Sequence, residues 1–242
     1  MQIKISRWLV SLIIVGALFL GGCTSQEGSS QTSENSSATT PVFTTQVNNP
    51  QMTNSLRLEG KATVVMVVNG SPITIEVDGT NAPVTAGNFV DLVDRGFYNG
   101  LIFHRVVKNP EPFVAQGGDP QGTGMGGFVD PETKRPRNVP LEIKLQGQAA
   151  PSYGKALGRQ AGYSDPKVVL NHKKGAIAMA RSQAPDSASS QFYFALSDID
   201  FLDGDYAVFG YVTNGMNVVE GIKQGDKIDS AKVTQGAENL KK

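Results

Sequence analysis

Two β-branched runs stand near the front of the apolar part of the chain. Residues 63–68 read Thr-Val-Val-Met-Val-Val, Asn69-Gly70 follows, and residues 71–77 read Ser-Pro-Ile-Thr-Ile-Glu-Val. Asn-Gly tolerates the positive φ that both central residues of a type I′ turn require, so the pair predicts a β-hairpin. In the second run Ile73, Ile75 and Val77 alternate with Thr74, Glu76 and Asp78, which turns one face toward a core. From Ala82 to Gly96 the period changes. Phe89, Leu92 and Val93 fall at helical spacing, with Thr85 as the expected N-cap and Gly96 as the stop. A second short helix is predicted over Met216–Lys223, led by Asn214 or Gly215, with Val218, Val219 and Ile222 on one face and Gly225 beyond. Between the helices lie the short runs Leu101–Val107, Phe113–Ala115, Ala176–Ala180, Phe192–Leu196 and Ala207–Val212, and Ile228–Val233 follows to complete the sheet.

This pattern predicts a mainly β domain over 56–236: a closed eight-stranded antiparallel β-barrel capped by two α-helices. The 27 glycines and 13 prolines fit its many turns. Gln146–Asn171 shows no clean period and is expected to be a surface insertion, with 237–242 as a C-terminal tail.

The chain before the hairpin is of another kind. Lys4 and Arg7 precede an apolar run from Trp8 to Leu20, the length of a signal-peptide core rather than of a membrane span. Leu20-Gly21-Gly22-Cys23 follows and resembles the lipobox of bacterial lipoproteins, which implies a signal peptide over 1–22 and a diacylglycerol, and palmitate, on Cys23. The stretch 23–55 is rich in Ser, Thr, Gln and Asn, too polar to order itself, and is expected to tether the domain. The expected location is thus exported and lipid-anchored, on the periplasmic or outer-surface side of a bacterial membrane.

Charge narrows the partners. The chain carries 22 basic and 22 acidic residues, and loss of 1–22 removes only Lys4 and Arg7. No basic stripe tracks a phosphate backbone, so nucleic acid is not an expected partner. With Cys23 the only cysteine, the folded part has no disulfide.

Three strings carry chemistry: Phe103-His104-Arg105-Val106-Val107, Phe113-Val114-Ala115-Gln116-Gly117-Gly118-Asp119, and Ser190-Gln191-Phe192-Tyr193-Phe194 with Phe201-Leu202-Asp203-Gly204 after it. Their order and spacing, with Gly122-Thr123-Gly124, Met179-Ala180-Arg181 and Val208-Phe209-Gly210, resemble the cyclophilin family from about Leu58 to Val233. The resemblance implies a peptidyl-prolyl cis/trans isomerase that needs no cofactor or metal, acts on proline-containing polypeptides and works as a monomer. By the same resemblance, Arg105 stabilises the twisted amide and Phe113, Val114, Tyr193, Leu202 and Tyr206 seat the proline ring. Gln116 binds substrate backbone and helps position Arg105. Ala180, Arg181 and Gln191 line the groove for the residue before proline, and Gly122 lines its neighbouring loop. Phe201 stands where many eukaryotic members carry tryptophan and Tyr206 where they carry histidine; without the indole N–H, weak cyclosporin binding is expected. A non-catalytic proline-segment binder or scaffolding lipoprotein of the same fold is the alternative.

Other features are expected to be bland. His104 is assigned a structural role, because alternation with Arg105 turns it to the other face of a strand. His172, in an Asn-His-Lys-Lys turn, is expected to be solvated, Asp203-Gly204 to be only a turn, and Phe103 and Phe192 to be core. Gly122-Thr-Gly-Met-Gly-Gly127 matches a dinucleotide fingerprint in letters only, since it opens no helix.

Overall fold

The computed structural model describes residues 56–242; Cys23, the signal segment and the tether lie outside the described residues. After a short strand β1 (Arg57–Leu58), the predicted hairpin forms as β2 (Lys61–Val68) and β3 (Ser71–Asp78). Asn69 and Gly70 have φ of 50° and 74°, as a type I′ turn demands. Val64 opposes Ile75 and Met66 opposes Ile73, all of them fully buried.

Helix α1 follows (Pro83–Asp94) and begins two residues before the expected cap. Proline is suited to the first helical position, because its missing N–H would be unpaired there anyway. Thr85 therefore lies inside the helix rather than capping it. The first-turn N–H groups of Val84 and Thr85, which have no acceptor within the helix, donate instead to the buried Glu142 carboxylate, at 3.1 and 2.8 Å.

The remaining elements are β4 (Arg105–Val107), β5 (Val114–Gly117), β6 (Glu142–Ile143), β7 (Ser152–Tyr153), β8 (Ala176–Met179), β9 (Phe192–Ala195), β10 (Val208–Asn214), α2 (Met216–Gly221), β11 (Ile228–Gln235) and β12 (Leu240–Lys241). Helix α2 is shorter than expected, because Ile222 has already left helical geometry. Eight strands form one antiparallel sheet in the order β11-β2-β3-β10-β8-β9-β5-β4. This sheet is curled, and no ladder joins its two edges. It is a half-barrel rather than the closed barrel expected: the segment before β4 is linked to the start of β11 only by an isolated bridge between Ile102 and Lys227 and by backbone bonds from residues 100–103 to 225–228.

Two expectations about loops change. Residues 237–242, expected as a tail, form a 3-10 turn and β12, which pairs with β1. Gln146–Asn171 is at the surface yet built into the domain: β7 pairs with β6, Val168 is buried, and Leu157 N–H donates to Gly204 O at 2.8 Å.

The main core lies between the sheet and α1. Phe89 of α1 meets Phe209 at 5.0 Å and Phe192 at 5.6 Å between ring centroids, and Phe192 meets Phe194 edge-on at 5.6 Å. Phe103 and Phe192 are fully buried there, as core residues should be. Strands β5, β8, β9 and β10 send alternate residues inward, with Ala115, Ile177, Met179, Phe192, Phe194 and Phe209 in this core. The intervening residues Val114, Ala176, Ala178, Tyr193, Ala195 and Val208 form a second apolar cluster on the other face.

Candidate active site

That second cluster is the floor of the candidate site. Phe113, Ala180, Leu202 and Tyr206 pack on it from the loops, only half-buried. Val114 is buried beneath them and offers no open surface. Phe113 and Phe201 stack at 6.0 Å, with Phe201 40 % exposed at the lip. Tyr206 meets the Tyr193 ring edge-on at 6.1 Å.

The polar half comes from strand register. Arg105 on β4 lies directly opposite Gln116 on β5, and Gln116 lies opposite Tyr193 on β9. Cross-strand partners share a face, so the ladder brings the three side chains together. Arg105 Nη1 donates to Gln116 Oε1 at 3.3 Å, and Gln116 Nε2 donates to Gln191 Oε1 at 2.9 Å. Gln191 Nε2 in turn donates to Gly124 O and Gly126 O, at 3.0 and 2.8 Å. The exposed Arg105 guanidinium stands 5.7 Å from the centroid of the Phe113 ring. A charged donor and an apolar plate thus border the same open surface.

The glycine loop is held from below by Asp119. Its carboxylate accepts from the backbone N–H of Gln121 (2.8 Å), Thr123 (2.9 Å) and Gly124 (2.6 Å). Burial disfavours the charge on Asp119, but N–H groups of Gln121, Gly126, Gly124 and Thr123 outweigh it and hold the carboxyl below its ordinary value. A Cβ on Gly126 would stand 2.0 Å from Asp119 Oδ1, so the cradle requires glycine. Gly122, at φ 68°, lies in this loop over Ile102.

On the opposite rim Arg181 is fixed rather than free. Its Nε donates to Asp205 O at 2.8 Å, Nη2 to Gln160 Oε1 at 2.9 Å, and its guanidinium covers Tyr206 at 4.8 Å. Gln160 belongs to the insertion, as does Arg159, whose guanidinium lies 5.7 Å from the Phe201 ring centroid. No sequence period marked either residue, because both reach the site through loops.

Two bland readings fail here. His172 is 1 % exposed, not solvated: Nδ1 is 2.7 Å from Asp203 Oδ1 and Nε2 is 2.9 Å from the Tyr193 hydroxyl. Asp203, buried, therefore does more than shape a turn. Burial lowers the pKa of His104, whose ring lies against Gly124. Among the described residues no group of three or more His, Cys, Asp or Glu gathers as a metal site.

Residues 63–239 match the family model for cyclophilin-type peptidyl-prolyl cis-trans isomerases. The chain belongs to the cyclophilin family. This cyclophilin is 46% identical over 199 residues to a Synechocystis protein named as a thylakoid lumen peptidyl-prolyl cis-trans isomerase, covering 78% of this chain and 51% of that one. It is 43% identical to a chloroplastic peptidyl-prolyl cis-trans isomerase of Arabidopsis thaliana, covering 76% of this chain and 44% of the relative. The chain thus spans about half the length of these curated relatives. A Helicobacter pylori peptidyl-prolyl cis-trans isomerase, 38% identical, is covered over 81% of its length. Among solved structures, a cyclophilin-type isomerase of Cryptosporidium parvum shares the fold of this cyclophilin at a TM-score of 0.54 and 22% identity, covering 72% of this chain and 98% of that one.

Proposed function

We propose that this cyclophilin accelerates cis/trans rotation of X-Pro bonds in exported or lumenal polypeptides. The observation that carries the reading is the cross-strand pair Arg105–Gln116 set beside the open Phe113 ring.

The chemistry follows from the amide. Resonance sets a rotational barrier of about 18–20 kcal/mol. Twisting the bond removes that resonance and leaves the prolyl nitrogen pyramidal and basic. A donor aimed at this nitrogen is worth more in the twisted state than in either planar state, which is the condition for catalysis. Arg105 is always charged and offers several donors. Gln116 Oε1 holds one edge of its guanidinium, and the remaining N–H groups face the open surface. Phe113, Leu202, Tyr193 and Tyr206 seat the proline ring, while Gln191, Ala180, Arg181 and the Gly122 loop border the run of the preceding residue.

Bringing a process of about 10–100 s to milliseconds needs about 10⁴–10⁵-fold, or about 5.5–7 kcal/mol. One charge-assisted hydrogen bond supplies about 1.5–3 kcal/mol. Loss of water around the amide and selection of a twisted bound form supply the remainder. The test is isomerisation of a short Ala-Pro peptide by the purified full chain and by Arg105→Ala. Activity in the wild type that falls at least a hundredfold in the variant supports the reading, and a fully active variant refutes it.

The same reading includes a monomeric chain and attachment to a membrane through lipid on Cys23. Relatives named for the thylakoid lumen and the chloroplast support an exported or lumenal site. Expressed in a bacterial host, the chain should incorporate labelled palmitate and Cys23→Ser should not; labelling of the variant to the same extent would remove the anchor.

A further inference from the structure

Tyr193 forms part of the apolar floor, yet it carries a hydroxyl. A phenol buried without a hydrogen-bond partner is costly, and one that turned toward the proline seat would make that seat polar. Neither happens. Tyr193 is 5 % exposed, and its hydroxyl points away to His172 Nε2 at 2.9 Å. His172 Nδ1 lies 2.7 Å from Asp203 Oδ1, and that same oxygen accepts the His172 backbone N–H at 2.8 Å.

The direction of each bond follows from the last acceptor. An ionised carboxylate only accepts, so His172 carries its proton on Nδ1. In the neutral imidazole Nε2 then keeps a lone pair, and the tyrosine donates to it. Burial holds the Tyr193 phenol well above its ordinary pKa, so the proton to be donated is present. The imidazole and phenol planes are 15° apart, and Tyr206 meets the Tyr193 ring edge-on. With its hydroxyl tied back, Tyr193 offers the seat only carbon.

We propose that His172 and Asp203 are positioning residues that keep the Tyr193 ring as an apolar floor for proline, acting on substrate only through the Tyr193 hydroxyl. This rests on the isomerase reading above. The competing role is a staple between two loops: Asp203 also takes the His172 backbone N–H, and Ile199 N–H donates to His172 O at 2.8 Å. A staple would act regardless of what stands at position 193.

A double-mutant cycle separates the two. KM and kcat for an Ala-Pro peptide are measured on the full chain and on His172→Leu, Tyr193→Phe and the double variant. The cycle compares ratios, so the effect of Tyr193→Phe by itself drops out. His172→Leu should raise KM about tenfold with kcat little changed in the wild-type background, and less than twofold where position 193 has no hydroxyl. An equal rise in both backgrounds overturns the proposal. If His172→Leu does not fold, His172→Phe replaces it, because a phenyl ring fills the place of the imidazole and offers the Tyr193 hydroxyl no acceptor. The same loss of effect in Tyr193→Phe is required. The imidazole ¹⁵N shifts of the wild type provide an independent check: a protonated Nε2 at neutral pH contradicts the arrangement. If the wild type proves inactive, the isomerase reading fails by itself, and the cycle is read instead in Kd for the peptide.

Discussion

Strands β5, β8 and β9 carry two different surfaces on one backbone. Inward, Ala115, Ile177, Met179, Phe192 and Phe194 are at most 2 % exposed, and Phe192 meets both Phe89 of α1 and Phe194 edge-on. Outward, Val114, Ala178, Tyr193 and Ala195 support a layer that stays half open, with Phe113, Leu202 and Tyr206 partly exposed and Phe201 more so. Both faces are apolar, and only one is finished. The inner face is closed by a helix from the same chain; the outer face ends in a half-open, largely aromatic layer and a charged rim, the composition expected where something else completes the packing.

If that division is right, equal truncations on the two faces should fail differently. Phe194→Ala should cost about 3–5 kcal/mol in urea unfolding while leaving turnover per folded molecule nearly unchanged. Phe113→Ala, taken from a half-exposed position, should cost less than about 1 kcal/mol and raise KM about tenfold. The reverse assignment would erase the contrast between the faces.

A smaller effect sharpens how the rim is kept in shape. Asp119 is held below its ordinary carboxyl pKa in the folded chain. A depressed folded value means that its stabilising contribution is complete above the unfolded pKa of about 3.9 and is lost as pH falls through the folded value. Asp119→Asn should lower stability at neutral pH by about 1–3 kcal/mol and flatten the decline below about pH 4. Urea titrations from pH 7 down to 3 check this, and an unchanged acid limb would remove Asp119 from the account. The smallest response is expected from cyclosporin. With Phe201 at the lip in place of tryptophan no indole N–H is offered, so nanomolar drug should leave isomerisation unaffected; tight inhibition would contradict this.

Local patterns were legible wherever the cause was local. Asn69-Gly70 announced its hairpin, alternation announced the buried face of β3, and the strings around Arg105, Gln116 and Tyr193 marked strands that the register sets side by side. What stayed hidden depends on groups far apart in sequence. Thr85 looked like a cap, but Pro83 starts the helix earlier and Glu142, 58 residues from Val84, receives the free N–H groups. His172 looked solvated among lysines, because its partner Asp203 lies 31 residues away. Gln146–Asn171 lacked a period since it is fixed at scattered points, at Val168 in a small core and at Gln160 on Arg181.

The central claim is that the outer face binds proline through its aromatic floor and turns it over through Arg105. Exchange spectroscopy on a labelled Ala-Pro peptide reads both quantities in one sample, the bound fraction from shift changes and the cis/trans rate from exchange peaks. For Arg105→Ala the account predicts an exchange rate at least a hundredfold below wild type, with Kd for the peptide within about threefold. Exchange that persists at the wild-type rate, or binding that disappears together with turnover, would contradict it.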